Sequence, residues 1–258
     1  VLSTLWKSPA FVRGFAYITS YADTRIIGVA FIVFMHYYST YSVCRKNCKR
    51  KRMSELPAVS VIIPVYNVEK YLPKCLDSLL GQTMANIEAV CVDDASTDRS
   101  GKILEQYAAR DGRVKFFSSD GNAGPGRARN LGLEKATGEY VMFCDPDDWF
   151  EPDAVETAYR RIAENGNDFA YFNTYIYMED SGRQNADAHR LAPFAEVFGK
   201  PALRLHELTP PFIRTSESWY KIYRKKFLDE NGIRFAGLRL CEDIPFFMKA
   251  VVSADTGS

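Results

Sequence analysis

The stretch Gly138-Glu139-Tyr140-Val141-Met142-Phe143-Cys144-Asp145-Pro146-Asp147-Asp148-Trp149-Phe150 decides the fold. Tyr140 to Cys144 is an apolar run and reads as a buried strand. Three carboxylates, Asp145, Asp147 and Asp148, follow at once. Pro146 between them cannot extend a sheet ladder, so the acids fall on a turn at the strand's C-terminal end. In open α/β sheets, ligands bind outside those ends. Carboxylates this close repel one another unless a cation or hydrogen bonds neutralise them. A hard divalent ion would do so, using one or two carboxylates, several waters and substrate phosphates. The plain alternative is a solvated acidic turn capping the helix that starts near Pro152, and an isolated Asp-x-Asp does not choose between the two.

Upstream, strands and helices alternate. Val59 to Ile63 is a β-branched run closed by Pro64. Glu69 to Leu80 carries a helical apolar face and is stopped by Gly81. Ile87 to Val92 is a second strand ending in Asp93-Asp94, Ser100 to Arg110 a helix, and Val114 to Phe117 a third strand. Asn122-Ala123-Gly124-Pro125-Gly126 opens a helix from Arg127 to Ala136, and Pro152 to Asn165 is another. This alternation implies a parallel sheet with right-handed crossovers. The loops after strands one, two and four carry Tyr66-Asn67, Asp94 and Asp145/Asp147, so all three open on one rim. That convergence is the argument for a site.

A nucleoside diphosphate fits such a rim. Asp94 can accept a hydrogen bond from a base's ring N–H, and Tyr66 can lay its ring on the base. Arg127 and Arg129 lie on the first turns of a helix whose N-terminus favours anions. Asp145 can reach a ribose hydroxyl, and Asp147 can hold a metal that bridges the phosphates. Gly124 and Gly126 form neither a GxGxxG nor a Walker loop, which removes dinucleotide and P-loop readings. For either arginine alone, a solvated helix face fits as well as phosphate contact.

The 258 residues, 47% of them hydrophobic, suffice for one large domain or two small ones. Net charge is +1, but its distribution is uneven. Residues 1–55 hold nine Lys/Arg against Asp23 and Glu55, net +7; the rest holds 24 bases against 30 acids, net −6. An acidic body is not a nucleic-acid binder's, and a basic leader suits an anionic surface. No two of the six cysteines form a CxxC pair. Cys91 and Cys144 read as small core residues, consistent with a reduced compartment. Cys44 and Cys48 beside the basic cluster are either free thiols or sites of lipidation or metal binding.

Ile26 to Tyr38 is almost wholly apolar apart from His36, and extending it to Val43, which adds Ser39, Thr40 and Ser42, gives about the shortest length that crosses a bilayer. Lys/Arg residues directly after it mark a cytoplasmic side. Residues 1–57 are therefore expected to be a membrane-associated leader, with the rest on the cytoplasmic face. An interfacial segment and a buried helix are the alternatives. The chain starts without Met and stops at Ser258, so it reads as a fragment with its last region truncated.

Four motifs resemble the family 2 glycosyltransferases of the GT-A fold, in the right order and spacing. They are Val59-Ser-Val-Ile-Ile-Pro-Val-Tyr-Asn67, Val92-Asp-Asp-Ala-Ser-Thr-Asp98, Asn122-Ala-Gly-Pro-Gly-Arg-Ala-Arg-Asn130 and Gly138 to Asp148. The closest likeness is to bacterial members that build cell-surface glycans. The resemblance implies a nucleotide-sugar-binding half over residues 58–165 and an acceptor-side region over 166–258. It implies nucleotide contacts, usually with uridine, from Pro64, Tyr66, Asp94, Asn122, Arg129 and Asp145. It makes Asp147 the main ligand, with Asp145, of a divalent metal (Mn2+ or Mg2+). It implies inversion by direct displacement, with a base from the acidic pair Glu242-Asp243; Asp243 is the expected base. A nucleotide-sugar donor, a glycan or lipid-linked acceptor and a membrane surface are the expected partners.

Asp168 to Met178 reads as one strand, residues 179–218 as a loop with short helical pieces, and Trp219 to Tyr223 as a short strand. Trp219 and Lys221 can line an acceptor pocket, although core packing suits Trp219 too. Glu242-Asp243 opens an apolar helix, where the helix dipole lowers a carboxylate's pKa and so weakens Asp243 as a base. Two other functions stay open. A sugar nucleotidyltransferase needs a Gly-rich, Lys/Arg-bearing loop after the first strand, where Pro64-Val-Tyr-Asn67 stands instead. An inactive membrane-attached scaffold would bind a nucleotide sugar without turning it over. No Gln-x-x-Arg-Trp motif is present, which disfavours a processive synthase.

Overall fold

The structure, a computed structural model, describes residues 56–172, 174–178, 183–186, 216–238 and 240–254. The leader expected over residues 1–57 lies outside the described residues up to residue 55. Among the described residues, no helix is long and apolar enough to cross a membrane.

The alternating pattern folds as β1 (Val59–Val65), α1 (Leu72–Leu80), β2 (Ile87–Asp93), α2 (Ser100–Arg110), β3 (Val114–Ser118), α3 (Pro125–Lys135), β4 (Tyr140–Phe143) and α4 (Ala154–Asn165). After these come β5 (Phe169–Tyr171), β6 (Tyr175–Met178), β7 (Arg183–Ala186), β8 (Lys221–Arg224), α5 (Lys225–Glu230) and α6 (Asp243–Ser253). Six strands form one sheet in the order β3-β2-β1-β4-β8-β5, and β6 pairs with β7 in a second. β1 runs parallel to both β2 and β4, and β2 parallel to β3, so the loops after β1, β2 and β4 do share one rim.

β1 and β2 are buried along their whole length and β4 likewise, as both faces of a parallel sheet require. One core lies under α1, α2 and α4, the other under α3, α5 and α6. β1 runs through Pro64, where the sequence had suggested an end. Ile62 offers its carbonyl to Cys144 N at 3.0 Å, so Pro64, two residues on, also faces β4. Pairing with β4 has stopped at Ile62, and no ladder bond is lost to the missing N–H.

Two expectations change. Asp168 to Met178 is two strands in two sheets, not one. The expected Trp219 to Tyr223 strand starts later, as β8, and runs antiparallel between β4 and β5.

Candidate active site

The rim is built from backbone turns that side chains hold in place. After β1, Tyr66 is 45% exposed. Asn67 adopts a left-handed φ of 52°, which Asn tolerates better than most residues. Its Oδ1 accepts the N–H of Thr97 at 2.7 Å and that of Asp98 at 3.3 Å, tying the β1 loop to the β2 loop. Asp94, at the end of β2, is buried. Its carboxylate accepts the N–H of Ala123 at 3.0 Å, the N–H of Gly124 at 2.7 Å and the hydroxyl of Ser119 at 2.9 Å. Gly124, with φ 88°, makes the turn that L side chains resist.

A cavity of about 120 Å³ lies between these turns, lined by Pro64, Tyr66, Asp94, Asn122, Gly124 and Ala128. It gathers four of the six residues expected to contact a nucleotide. Asp94 already serves the Asn122–Gly124 loop, so a base would have to share the few acceptor positions that a carboxylate offers. Sequence reasoning missed Ser119 and the backbone of Ala123 and Gly124 as partners of Asp94. A wider cavity of about 460 Å³ lies on the far side of Asp94, lined by Phe117, Ser119, Arg127 and Lys135 among others.

At the end of β4 the chain turns, with Asp148 N–H donating to the Asp145 carbonyl at 3.0 Å. Asp147 is exposed. Partial burial, with the charges of Asp145 and Asp147, pushes the Asp148 carboxyl up to about 6. The donor set is hard oxygen and crowded, with Arg129 on one Asp145 oxygen; oxygen donors of this kind can take a divalent ion completed by water and phosphate. Among the described residues, no three His, Cys, Asp or Glu side chains gather as a ready-made cage. Of the two expected ligands, Asp147 is exposed, while Asp145 Oδ1 is held by Arg129 at 2.7 Å.

Arg129, expected at the nucleotide, lies among carboxylates. It is 4% exposed. Its Nη2 donates to Asp145 Oδ1 at 2.7 Å and its Nη1 to Glu242 Oε1 at 2.7 Å; Asp243 Oδ1 lies 3.9 Å away. Burial pulls the guanidinium pKa down, but Asp145 and Asp243 outweigh it and the net shift is upward. Glu242 stands at the N-cap position of α6 without a side-chain capping hydrogen bond, and Asp243 is the helix's first residue. Asp243 Oδ1 is buried with no hydrogen-bond partner among the described residues. The helix terminus does not win here: burial raises the Asp243 carboxyl, Arg129 and Ser218 only partly oppose it, and Glu242 and Asp145 add to the rise. The group is a better base than a helix cap would be.

Lys221 is fully buried. Its ammonium donates to the Glu217 carbonyl and lies over the rings of Tyr171, Tyr220 and Phe247. Trp219 is half-buried, edge-on to Tyr220 with ring centroids 4.6 Å apart.

The family model described as Glycosyl transferase family 2 matches residues 60–232, stopping before Glu242 and Asp243. Glycosyltransferase GlyA of Streptococcus pneumoniae is 49% identical over 124 residues, 48% of this chain and 18% of GlyA. Poly(ribitol-phosphate) beta-glucosyltransferase of Bacillus spizizenii is 42% identical over 200 residues, 76% of this chain and 30% of that protein. Crystal structures of S. aureus TarS 1–349 with UDP and with UDP-GlcNAc superpose at a TM-score of 0.65 with 32% identity. They cover 78% of this chain, which spans 56% and 55% of theirs. The chain thus spans well under two thirds of each of these relatives.

Proposed function

The chain belongs to glycosyl transferase family 2, and on that premise we propose that it moves a hexosyl group from a nucleoside diphosphate sugar to an acceptor hydroxyl, with inversion. The observation that carries this reading is the shared rim. A cavity lined by Pro64, Tyr66, Asp94 and Asn122 lies at the rim onto which the loop of Asp145 and Asp147 also opens, because β1 and β4 run parallel, and Arg129 ties that loop to Glu242 and Asp243. TarS binding UDP and UDP-GlcNAc favours uridine as the base. The Bacillus spizizenii relative, named for poly(ribitol phosphate), favours a polyol or glycan hydroxyl of a cell-surface polymer, free or lipid-linked, as acceptor.

The acceptor oxygen attacks the anomeric carbon, the bond from that carbon to the diphosphate breaks, and UDP leaves with the bonding pair. Asp243 takes the acceptor's proton through its raised, half-buried carboxylate. Tyr66 and the Asn122 loop hold the base end of the donor. A divalent cation at Asp145 and Asp147 would supply positive charge against the leaving diphosphate. The leader over residues 1–57 would hold this site at the cytoplasmic face of a membrane; full release by carbonate extraction would overturn that placement.

Calorimetric titration of UDP into the chain, with and without Mn2+, tests the donor site. Metal-dependent binding that disappears in Asp147→Ala is the expected result. Failure of folded wild-type protein to bind UDP under either condition would overturn it.

A further inference from the structure

α3 turns the face formed by Gly126, Arg129 and Asn130 toward the segment that carries Glu242 and Asp243. Asn130 and the backbone of Phe235 exchange two hydrogen bonds. Asn130 Nδ2 donates to the Phe235 carbonyl at 2.9 Å, and Asn130 Oδ1 accepts the Phe235 N–H at 2.9 Å. The Phe235 ring stacks on Phe246 of α6, with centroids 4.1 Å apart and planes 10° from parallel. Four residues before Phe246, Arg129 grips Glu242 and lies near Asp243, while its other Nη holds Asp145. The start of α6 is therefore fixed at two separate points, both on α3.

We propose that Arg129 and Asn130 are positioning residues of the transfer: they set Asp243 against the donor-loop carboxylate Asp145, and Arg129 does not contact the diphosphate. The proposal rests on the glycosyl-transfer reading. A guanidinium presents its N–H groups in a rigid fork suited to bridging two carboxylates. Here that fork is filled by Asp145 and Glu242, and the Phe235 ring lies 5.4 Å from Cζ. Nε is buried without a partner among the described residues. Turning Arg129 toward a phosphate would leave Glu242 buried and uncompensated, at a cost larger than one new contact returns. Arg127, two residues earlier, is exposed and lines the wider cavity.

The two roles differ in their tolerance of lysine. A point charge can serve a phosphate, but it cannot bridge two carboxylates in fixed geometry. We would measure UDP-GlcNAc hydrolysis with Mn2+ for the 258-residue chain as wild type, Arg129→Lys and Asn130→Ala. Hydrogen exchange across residues 233–254 would be followed in parallel. The expected result is a fall in kcat of about a hundredfold for Arg129→Lys and about tenfold for Asn130→Ala. KM should stay within about threefold of wild type, and exchange over 233–246 should speed up in both variants. A KM that rises about tenfold or more while kcat holds would make Arg129 a diphosphate contact and overturn the proposal. If wild type turns over no UDP-GlcNAc, that result counts against the donor reading and the exchange data decide alone. Faster exchange over 233–246 then supports positioning, and unchanged exchange in both variants overturns it.

Discussion

The two ends of the parallel sheet treat buried carboxylates in opposite ways. At the N-terminal end, Glu88 is 3% exposed. Its Oε1 accepts Ser60 Oγ at 2.6 Å, the N–H of Thr137 at 2.7 Å and Thr137 Oγ1 at 2.9 Å. Ser60 Oγ in turn accepts the N–H of Gly138 at 2.8 Å. At the C-terminal end, Asp145, Glu242 and Asp243 share one guanidinium, and Asp243 Oδ1 and Arg129 Nε have no hydrogen-bond partner among the described residues. A polar network whose donors are paired in this way helps specify a single backbone arrangement. Unsatisfied buried groups call for an explanation, and on the glycosyl-transfer reading we propose that a ligand at this rim supplies it. On that reading the same sheet keeps its fold at one end and its chemistry at the other.

The severest way to break this contrast is at the open end. Asp147→Ala should lower UDP-sugar turnover about a thousandfold or more. Its melting temperature should match wild type, because Asp147 is exposed. Turnover that survived would remove the acidic loop from the chemistry. At the closed end the sign of the result reverses. Glu88→Ala strands the Ser60 and Thr137 donors and should cost about 3 kcal/mol in urea unfolding, while UDP affinity of the folded protein stays unchanged. A stability cost near zero would mean that water replaces the carboxylate, and the closed end would not be closed.

A third substitution sharpens the comparison where the two halves of the site meet. A Cβ on Gly126 would lie 3.1 Å from the Ala236 carbonyl oxygen and 3.2 Å from Glu242 Cγ. Gly126→Ala should therefore push the base-bearing segment away from Asp145 and lower kcat about tenfold, with KM for the donor little changed. On Gly138, by contrast, a Cβ would lie 2.7 Å from Ser60 N, so Gly138→Ala should lower stability without that kinetic signature.

Much of this was legible in the sequence because it is local. Each of Pro64, Tyr66, Asp94, Asn122, Asp145 and Asp147 lies on or beside a loop whose flanking strand and helix are marked by their own apolar period. A parallel sheet then brings those loops to one rim. What the sequence hid is non-local. The run Asp168 to Met178 is mostly apolar and aromatic, interrupted inside only by Asn173 and Thr174, and nothing in it shows that β8, some fifty residues later, claims its first part while β7 claims its last. The acid strength of Asp243 depends on how deeply α6 is packed, which a helix-cap argument cannot see. Arg127 and Arg129 looked equivalent as residues on one first turn. A signal did exist: Gly126, Arg129, Asn130 and Leu133 fall at i, i+3, i+4 and i+7, the spacing of one helical face, and that face is the one turned inward.

The smallest expected effect tests the open end without touching its proposed ligands. Asp148 is pushed up to about 6, by partial burial first and by Asp145 and Asp147 after it. Between its ordinary value near 4 and 6, the folded chain keeps a proton there that the unfolded chain has lost. Stability must then fall as pH rises through that window and stay lower above it. Asp148→Asn removes the effect. The variant should melt with wild type below about pH 4 and about 2 °C higher at pH 7, a modest gain because the side chain borders solvent and its charge is screened. Mn2+ should narrow the gap at pH 7, since a cation in the loop makes the ionised carboxylate welcome there. A variant melting lower than wild type at pH 7 would mean that the ionised Asp148 makes a favourable contact in the folded chain, and the acidic loop would then belong with Glu88 among the satisfied groups.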